Sequence, residues 1–317
     1  MEHVARGTRS LDDALIGLLR TDGRASISSL ARRLGVPRPV VRERLRRLVT
    51  EGHVTVTAVA DPAVLGLQTL CHLAVHIDRS PREVAHALTA LADTSLVTIT
   101  SGPHDLVVEV RSRGQSEMFD AIARIRAIPG ITHVTTLLYV DVHKSPYSSL
   151  DSRPQRTVLD GLDQRIIGIL QADGRASFTA IGQELGISES TARTRVRRLV
   201  ADHVIRITAV PKRNTVTQSL ALGMGINVSG DTAPLIADLI RRSEVEFLAT
   251  SIGAFDLLVT LSGDSLEALR RVTDDIRSAE SVTRMESWIH LSIIKESYSP
   301  PDALGVAPAT SRDTGTA

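Results

Sequence analysis

The sequence consists of two copies of one unit, and this duplication constrains the fold more than any other feature. Residues 11–35 align without a gap on residues 162–186, and the same offset carries residues 102–110 onto 253–261. The repeat unit is about 150 residues long, well above the roughly 20 to 50 residues of solenoid and propeller repeats. We therefore expect two fused copies of one domain pair, so that one polypeptide carries what would otherwise be a homodimer.

Composition and charge restrict the class of protein. The chain has 317 residues and a formal net charge of +1, so its global charge indicates no partner. Cys71 is the single cysteine, which excludes an intrachain disulfide and a multi-cysteine zinc site. No signal peptide and no apolar run of about 18 residues is present. We expect a cytoplasmic protein with no membrane partner, no metal and no cofactor.

The first third of each copy has the pattern of a helix-turn-helix. In the first copy Leu15 and its neighbouring leucines recur at helical spacing, and Ser10 is a candidate N-cap. A turn follows at residues 22–24, and a short second helix ends before Gly35, where a left-handed residue is favourable. A third helix begins near Pro37 and runs to about residue 51.

The remainder of each copy predicts the element order βαββαβ. Alternating apolar residues indicate strands at 70–77, 96–102, 106–112 and 134–142, and helical spacing indicates helices at 80–92 and 116–128. In the second helix Phe119, Ile122 and Ile125 are expected to face inward. This order favours a four-stranded antiparallel sheet with both helices on one face. The other face also needs cover, and the sheet of the other copy is the expected partner.

The third helix of each helix-turn-helix carries an arginine-rich face. Between residues 11 and 59 about nine basic residues stand against five acidic ones, the footprint of a protein that meets phosphate on one surface. Arginines on such a helix suit the major groove of DNA, although a solvated helix face is the simpler interpretation. The arginines present in both copies form the pairs Arg42 and Arg193, Arg44 and Arg195, Arg46 and Arg197, and Arg47 and Arg198.

These motifs resemble the Lrp/AsnC family of transcriptional regulators. Residues 162–211 are similar to the family's helix-turn-helix signature, and the sequences GPHDL and GAFDL are similar to its regulatory domain. The resemblance implies an α+β fold with two copies of a winged helix-turn-helix and a ferredoxin-like βαββαβ effector domain. The expected segments are an extension at 1–10, DNA-binding domains at 11–60 and 162–211, effector domains at 61–147 and 212–298, a linker at 148–161 and a disordered tail at 299–317.

The two copies differ in the recognition helix. Pro37 and Pro39 replace the serine-rich start that the second copy keeps, and Glu43 stands where the family usually has arginine. We therefore expect the two heads to prefer different sequences and the operator to be asymmetric. The predicted DNA-binding residues are Arg38, Arg42, Arg44, Arg46, Arg47, Ser188, Ser190, Thr191, Arg193, Arg195, Arg197 and Arg198.

The Gly-x-x-Asp turns are the second candidate site. The resemblance implies that these loops line an effector pocket, and the residues that it assigns there are Gly102, His104, Asp105, Gly253, Phe255 and Asp256. A carboxylate beside exposed turn N–H groups suits the ammonium and carboxylate of an amino acid. The alternative is a plain β-turn in which glycine supplies a positive φ. Because the two loops differ between glycine and aspartate, we expect them to bind one ligand unequally.

The resemblance predicts a regulator that binds double-stranded DNA, responds to an amino acid or related metabolite, and assembles as a homo-oligomer of pseudo-dimeric chains. It also predicts a protein that is not an enzyme. The enzyme alternative is a siroheme decarboxylase, because those enzymes resemble this family and occur as fused two-copy chains. Their Cys-Tyr strand and Trp-Pro-Tyr-Asn-Leu stretch are missing here. A third alternative is an effector-binding module whose heads have lost DNA binding.

Overall fold

The computed structural model describes residues 2–60, 66–145, 159–211 and 220–297, and one series of elements occurs in it twice. The predicted tail, and all but residues 159–161 of the predicted linker, lie outside the described residues. The helices are α1 (Glu2–Thr21), α2 (Ile27–Leu34), α3 (Arg38–Thr50), α4 (Pro81–Thr89), α5 (Gln115–Arg126), α6 (Gly161–Ala172), α7 (Phe178–Leu185), α8 (Glu189–Ala201), α9 (Ala233–Arg241) and α10 (Leu266–Arg277). The strands are β1 (Val54–Ala60), β2 (Thr69–Ile77), β3 (Thr94–Ser101), β4 (Leu106–Ser112), β5 (Ile131–Lys144), β6 (Ile205–Pro211), β7 (Leu220–Val228), β8 (Val245–Ile252), β9 (Leu257–Gly263) and β10 (Val282–Glu296).

This arrangement confirms the predicted α+β class, with two helix-turn-helix units and two βαββαβ units. The short helix α2 begins where the Ser26 hydroxyl accepts a hydrogen bond from the Ser29 N–H at 3.1 Å, and it ends at Gly35 with a φ of 67°. One boundary prediction was wrong. Helix α1 already begins at Glu2, so Ser10 lies inside the helix and is not its N-cap.

The two effector units close into one eight-stranded barrel. Each unit has a four-stranded antiparallel sheet, with β3-β4-β2-β5 in the first copy and β10-β7-β9-β8 in the second. The last strand of each copy also pairs with a strand of the other copy, because β5 pairs with β8 and β10 pairs with β3. The predicted sheet-to-sheet contact is therefore a closed barrel within one chain, which leaves no open sheet edge.

The barrel has an outer core under the helices and an inner core between the sheets. The inner core contains Leu137, Leu258 and Trp288, whose side chains point away from the helices. One inward residue was predicted wrongly, because Phe119 is 71% exposed. Helix α5 instead buries Met118, Ala121 and Ile125, which form one apolar stripe. Phe119 follows Met118 in the chain and therefore points about 100° away from this stripe.

A lysine at the end of each long strand ties the copies together. The Lys144 ammonium donates to the carbonyl groups of Ile240 and Arg242 at 3.0 and 2.8 Å, at the end of helix α9. Lys295 makes the equivalent contact with Leu91 at 2.8 Å, near the end of helix α4. A cation at a helix C-terminus is favourable because the last carbonyl groups there lack intrahelical partners. Each copy therefore caps a helix of the other.

The two helix-turn-helix heads are joined by a ribbon of two strands. Strands β1 and β6 pair antiparallel with Thr57 opposite Thr208. Beside this ribbon the Gly23 N–H donates to the Ile207 carbonyl at 2.9 Å, and the Gly174 N–H donates to the Val56 carbonyl at 2.8 Å. A Cβ atom at Gly23 would lie 2.8 Å from the Ile207 carbonyl oxygen. Glycine is therefore required where each turn touches the opposite copy.

Two arginines complete this contact, and we call the four-residue set of Gly23, Arg24, Gly174 and Arg175 the head clasp. The Arg24 guanidinium donates to the Gly174 and Ala176 carbonyl groups at 3.0 and 2.8 Å. The Arg175 guanidinium donates to the carbonyl groups of residues 23 and 25 at 2.6 and 3.1 Å. Burial, and then the nearby Arg175 charge, lower the pKa of Arg24. The duplicated Asp-Gly-Arg-Ala-Ser motif thus builds the contact between the heads.

We expect Arg175→Ala to lower the free energy of unfolding by about 2 kcal/mol, because two hydrogen bonds from a charged donor are lost. Urea denaturation measures this change. Hydrogen exchange at the Gly174 amide tests whether the heads also separate more often, because that amide bonds to the opposite copy. The matched control is Arg165→Ala, which removes an exposed arginine of helix α6 and should change stability by less than about 0.5 kcal/mol. Equal stability of the two variants would show that the head clasp contributes nothing.

Candidate DNA-binding surface and effector loops

The recognition helix of the second head begins with a cluster of hydroxyl groups. The Ser188 side chain accepts a hydrogen bond from the Thr191 N–H at 3.0 Å, and its oxygen lies 2.8 Å from the hydroxyl oxygens of Ser190 and Thr191. All three side chains are exposed. A helix N-terminus with free N–H groups and hydroxyl groups suits a phosphate or a base edge.

The first head starts its recognition helix differently. Helix α3 follows Pro37, which caps the helix without a side-chain hydrogen bond, and Arg38 stands in the first turn. Arg46 donates to the Glu43 carboxylate at 3.0 and 2.6 Å, and this bond lowers the pKa of Glu43. The pairing offsets part of the positive charge of this helix face. The predicted difference between the two heads therefore has a structural counterpart.

Apart from Arg46, the predicted DNA-binding arginines fall into two groups. Arg38, Arg42 and Arg197 are exposed and form no ion pair with another described residue. Arg193 is also exposed, and it pairs with Glu189 on the same helix face while lying 5.4 Å from the centre of the Phe178 ring. Each head therefore has one exposed surface that we call its arginine face. It contains Arg38 and Arg42 in the first head, and Arg193, Arg197 and the N-terminal hydroxyl groups of helix α8 in the second.

The second group of arginines binds buried carboxylates instead. Arg44 donates to Asp12 at 3.0 Å, and Arg195 donates to Asp163 at 2.9 Å. The Asp12 and Asp163 side chains are 8% and 1% exposed, on the first helix of each head. A buried carboxylate without a cationic partner is costly. Arg44 and Arg195 therefore hold the recognition helix on its scaffold.

Arg47 and Arg198 extend the same ion pairs outward. Arg47 lies 3.6 Å from Asp12, and Arg198 bonds Asp163. Both side chains are nearly half exposed, at 47% and 44%. Each therefore contacts the buried carboxylate on one side and solvent on the other. Contact with DNA stays a prediction for both.

Both Gly-x-x-Asp loops lie against the other copy. Gly102 and Gly253 have φ values of 124° and 143°, which residues with a side chain rarely adopt. A Cβ atom at Gly102 would lie 3.2 Å from the Ser287 carbonyl oxygen of strand β10, and one at Gly253 would lie 3.1 Å from the Thr136 carbonyl oxygen of strand β5. Each loop is therefore formed beside the last strand of the opposite copy.

The two loop aspartates bond to the backbone of a neighbouring strand. The Asp105 carboxylate accepts a hydrogen bond from the Ile77 N–H at 3.0 Å, and the Asp256 carboxylate accepts one from the Val228 N–H at 2.8 Å. This contact occupies one oxygen of each carboxylate and ends strands β2 and β7. An effector role for either aspartate stays a prediction.

The residue directly before each loop aspartate is buried inside the barrel, whereas Pro103 and Ala254 are exposed. His104 packs edge-on against the Trp288 indole at 4.8 Å between ring centres, and burial lowers its pKa to about 4. Phe255 is its counterpart, and its ring fills the space in which a Cβ atom of Gly225 would lie. His104 Nε2 is buried and has no hydrogen-bond partner among the described residues. The two loops thus differ in the side chain that they place inside the barrel.

One polar pair inside the barrel was not identified from the sequence. The Tyr139 hydroxyl donates to the Glu109 carboxylate at 2.8 Å, and burial raises the pKa of both groups. The available signal was the inward position of Glu109 in the alternating strand β4, where a charged residue is unexpected. Tyr139 and Trp288 both pack in the inner core between the two sheets.

Comparison with protein families identifies the heads. The model of the AsnC-type helix-turn-helix domain matches residues 10–49 and 159–200. The HTH-type transcriptional regulator LysM of Sulfurisphaera tokodaii is 30% identical over 141 residues, which are 43% of this chain and 96% of that protein. An uncharacterized HTH-type transcriptional regulator of Pyrococcus furiosus is 31% identical over 147 residues, which are 44% of this chain and 97% of that protein. These relatives are therefore about as long as one copy.

Comparison with solved structures corrects one prediction. The siroheme decarboxylase NirDL, in complex with an iron-uroporphyrin III analogue, matches with a TM-score of 0.62 over 90% of this chain and 94% of that chain, at 17% identity. An identity this low shows the fold alone. The sequence predicted that the chain is not an enzyme, and that prediction is contradicted, because the fold that matches both copies together is that of an enzyme.

The described helices include none that is both long enough and apolar enough to cross a lipid bilayer. The helix-turn-helix model matches the chain at two positions, and the similar regulators match over nearly their whole length. Both findings indicate the same family. The chain belongs to the Lrp/AsnC family of transcriptional regulators, as a tandem form that carries two copies of the family's unit.

Proposed function

We propose that this regulator binds an asymmetric DNA site through its two arginine faces, in the cytoplasm, and that an amino acid or related metabolite modulates binding. The observation that carries the proposal is that the arginines of each recognition helix have two different environments. Arg44 and Arg195 bond buried carboxylates, whereas Arg42 and Arg197 extend from the same helices into solvent. Arginines in this position suit guanine edges and phosphates of a major groove.

The head clasp supports the asymmetric site. Because reciprocal hydrogen bonds join the heads within one chain, the distance between the two recognition helices is fixed by the chain itself. The helices then present different first turns, with Pro37 and Arg38 in one head and Ser188 in the other. Two half-sites of different sequence at a fixed spacing follow from this geometry.

Selection from a random duplex library, followed by fluorescence anisotropy on the selected duplex, tests DNA binding. We expect Arg42→Ala and Arg197→Ala each to weaken binding about tenfold or more, because each loses about 1–3 kcal/mol of contact with DNA. Binding of the native protein should also fall steeply between two salt concentrations.

Two controls separate contact with DNA from loss of structure. Arg126→Ala removes an exposed arginine of helix α5 and should leave binding unchanged. Arg195→Ala should lower stability in urea, whereas Arg197→Ala should not, because Arg195 bonds the buried Asp163 and Arg197 does not. Selection of no duplex, or full binding by the Arg197→Ala variant, would contradict the proposal.

The effector part of the proposal rests on the position of the Gly-x-x-Asp loops. Each loop lies at a junction between the copies, where a ligand would contact both. We expect at least one of the standard amino acids to raise the melting temperature, with two unequal sites per chain in calorimetry. The variant His104→Phe copies the Phe255 side chain into the first loop and should make the two sites more alike. An amino-acid panel that leaves the melting temperature unchanged would contradict this part.

A second candidate function is catalysis on a siroheme-like tetrapyrrole, which the whole-chain fold match favours. Incubation of the protein with siroheme tests it, with the product followed by mass spectrometry. Loss of carbon dioxide that depends on the protein would support the enzyme. An unchanged substrate, with no change in its absorption spectrum, would count against it.

A further inference from the structure

The aromatic ring of Phe178 contacts an arginine from each head. Phe178 is the first residue of helix α7, directly after the N-cap Ser177, and it is partly buried against the core of the heads. The guanidinium carbon of Arg24, a head-clasp residue of the first copy, lies 4.7 Å from the ring centre. The guanidinium carbon of Arg193, on the recognition helix α8, lies 5.4 Å from the same centre. One ring therefore connects the contact between the heads with the second arginine face.

The face of an aromatic ring attracts a cation because the π electrons give it partial negative charge. A guanidinium within about 6 Å of the ring centre gains from this attraction, and an exposed contact changes an equilibrium by about two- to fivefold. The two guanidinium groups at this ring repel each other, and nearby carboxylates offset the repulsion. Asp22 and Asp173 attract the charge of Arg24. Glu189 bonds Arg193. The ring can therefore hold both arginines at once.

Arg193 is also held by a carboxylate that helices α7 and α8 share. Glu189 stands one turn earlier on helix α8, and its carboxylate accepts a hydrogen bond from Nη2 of Arg193. The other oxygen of this carboxylate accepts the Thr179 hydroxyl of helix α7 at 2.9 Å. The hydrogen bonds from Thr179 and from Arg193 lower the pKa of Glu189 and keep it charged. An aromatic ring and a fixed carboxylate thus restrict the Arg193 side chain.

The first head has none of these supporting groups. At the three equivalent positions the ring, the threonine and the carboxylate are replaced by Ile27, Ser28 and Arg38. Arg42, the equivalent of Arg193, is exposed and forms no ion pair with another described residue. Arg38 carries a like charge one turn earlier on the same helix, which is unfavourable for Arg42. Arg42 therefore keeps the rotamer freedom that Arg193 has lost.

This difference affects how each arginine contacts DNA. A flexible arginine loses rotamer entropy when it binds a base edge, whereas a held arginine has already lost it on folding. A guanidinium in one fixed orientation fits the O6 and N7 acceptors of guanine better than the edge of any other base. A flexible guanidinium can follow any nearby phosphate, and phosphate contacts carry no sequence information. Base selectivity is therefore expected from Arg193 and not from Arg42.

We propose that Phe178 is a positioning residue that fixes Arg193 for reading a guanine, whereas Arg42 of the first head contacts phosphates without base selectivity. The head clasp takes part in this positioning, because the Arg24 guanidinium at the ring also donates to the Gly174 and Ala176 carbonyl groups. The inference rests on the proposed DNA binding. It adds that the two heads differ in selectivity and names the residue that makes them differ.

Competition binding with the full chain on the selected duplex tests the proposal. Each base pair of the duplex is replaced in turn, and the ratio of the Kd values gives the discrimination at that base pair. We expect one base pair with discrimination of about tenfold or more that disappears in Arg193→Ala. Arg42→Ala should weaken binding to the selected duplex and to a random duplex by the same factor. Unchanged discrimination in Arg193→Ala at every base pair would overturn the proposal.

Variants of Phe178 test the positioning. Phe178→Ile introduces the residue that the first copy has at this position, and should lower discrimination at the Arg193 base pair about two- to fivefold. Its binding to a random duplex should stay within about twofold of the native value, since a change in structure alone would weaken binding to both duplexes. Phe178→Tyr keeps the ring and should keep the discrimination. The matched control is Phe119→Ile, which removes an exposed phenylalanine of helix α5 and should change neither value.

Native discrimination in Phe178→Ile would overturn the proposal, as would an equal loss of affinity for both duplexes. The urea midpoint of each variant shows whether the heads remain folded. If Phe178→Ile is less stable than the native protein, Phe178→Leu replaces it, because leucine also lacks the ring and places its methyl groups farther from the backbone.

A measurement without DNA separates this inference from the proposed function. Nitrogen NMR relaxation of the arginine Nε–H groups reports the motion of each side chain, and the signals lost in Arg193→Lys and Arg42→Lys assign the two residues. We expect Arg193 to be more ordered than Arg42, and to become as mobile as Arg42 in Phe178→Ile. Equal order of the two arginines in the native protein would overturn the inference. If Phe178 orders Arg193 but no duplex is bound, the positioning stands, and the base-reading role falls with the proposed function.

Discussion

Antiparallel pairing between the two copies is the constraint on which the rest of this structure depends. The last strand of each copy adds to the sheet of the other, so that Leu138 pairs with Ile252 and Ile289 pairs with Ser101. Neither sheet has an open edge afterwards, and the inner faces of both are removed from water. The chain can satisfy these edges internally because it carries both copies. A single copy would need a second molecule for the same purpose.

In the barrel and in the heads, the two copies are joined by reciprocal hydrogen bonds from a cationic side chain to backbone carbonyl groups. Lysines cap helices across the barrel, and arginines of the head clasp bond carbonyl groups across the ribbon of β1 and β6. Each contact occurs twice with opposite direction, as a two-fold axis requires. The heads are therefore held at a defined spacing on a closed core, and a regulator that reads two half-sites needs that spacing.

Departures from the two-fold relation are concentrated where function is proposed. The scaffold contacts of Asp12 and Asp163 are nearly the same in both heads, whereas the first turns of the recognition helices differ. Inside the barrel the first Gly-x-x-Asp loop places His104 where the second places Phe255. A fused chain can keep the contacts that stabilise the fold symmetric and let its binding surfaces diverge.

The sequence by itself determined the duplication, because the two halves align without a gap. It also determined the element order and the helix-turn-helix, because these depend on local periodicity and capping that a single strand or helix already contains. Tertiary structure decided what the repeated arginines do. Arg195 and Arg197 are both repeated arginines of helix α8, and the sequence does not distinguish their roles. Only the contact of Arg195 with the buried Asp163 of helix α6 shows that Arg195 holds the scaffold while Arg197 stays exposed. It also decided the barrel closure, because this brings together strands that are more than a hundred positions apart in the chain. No local pattern records such contacts, since their free energy arises only when distant strands pair.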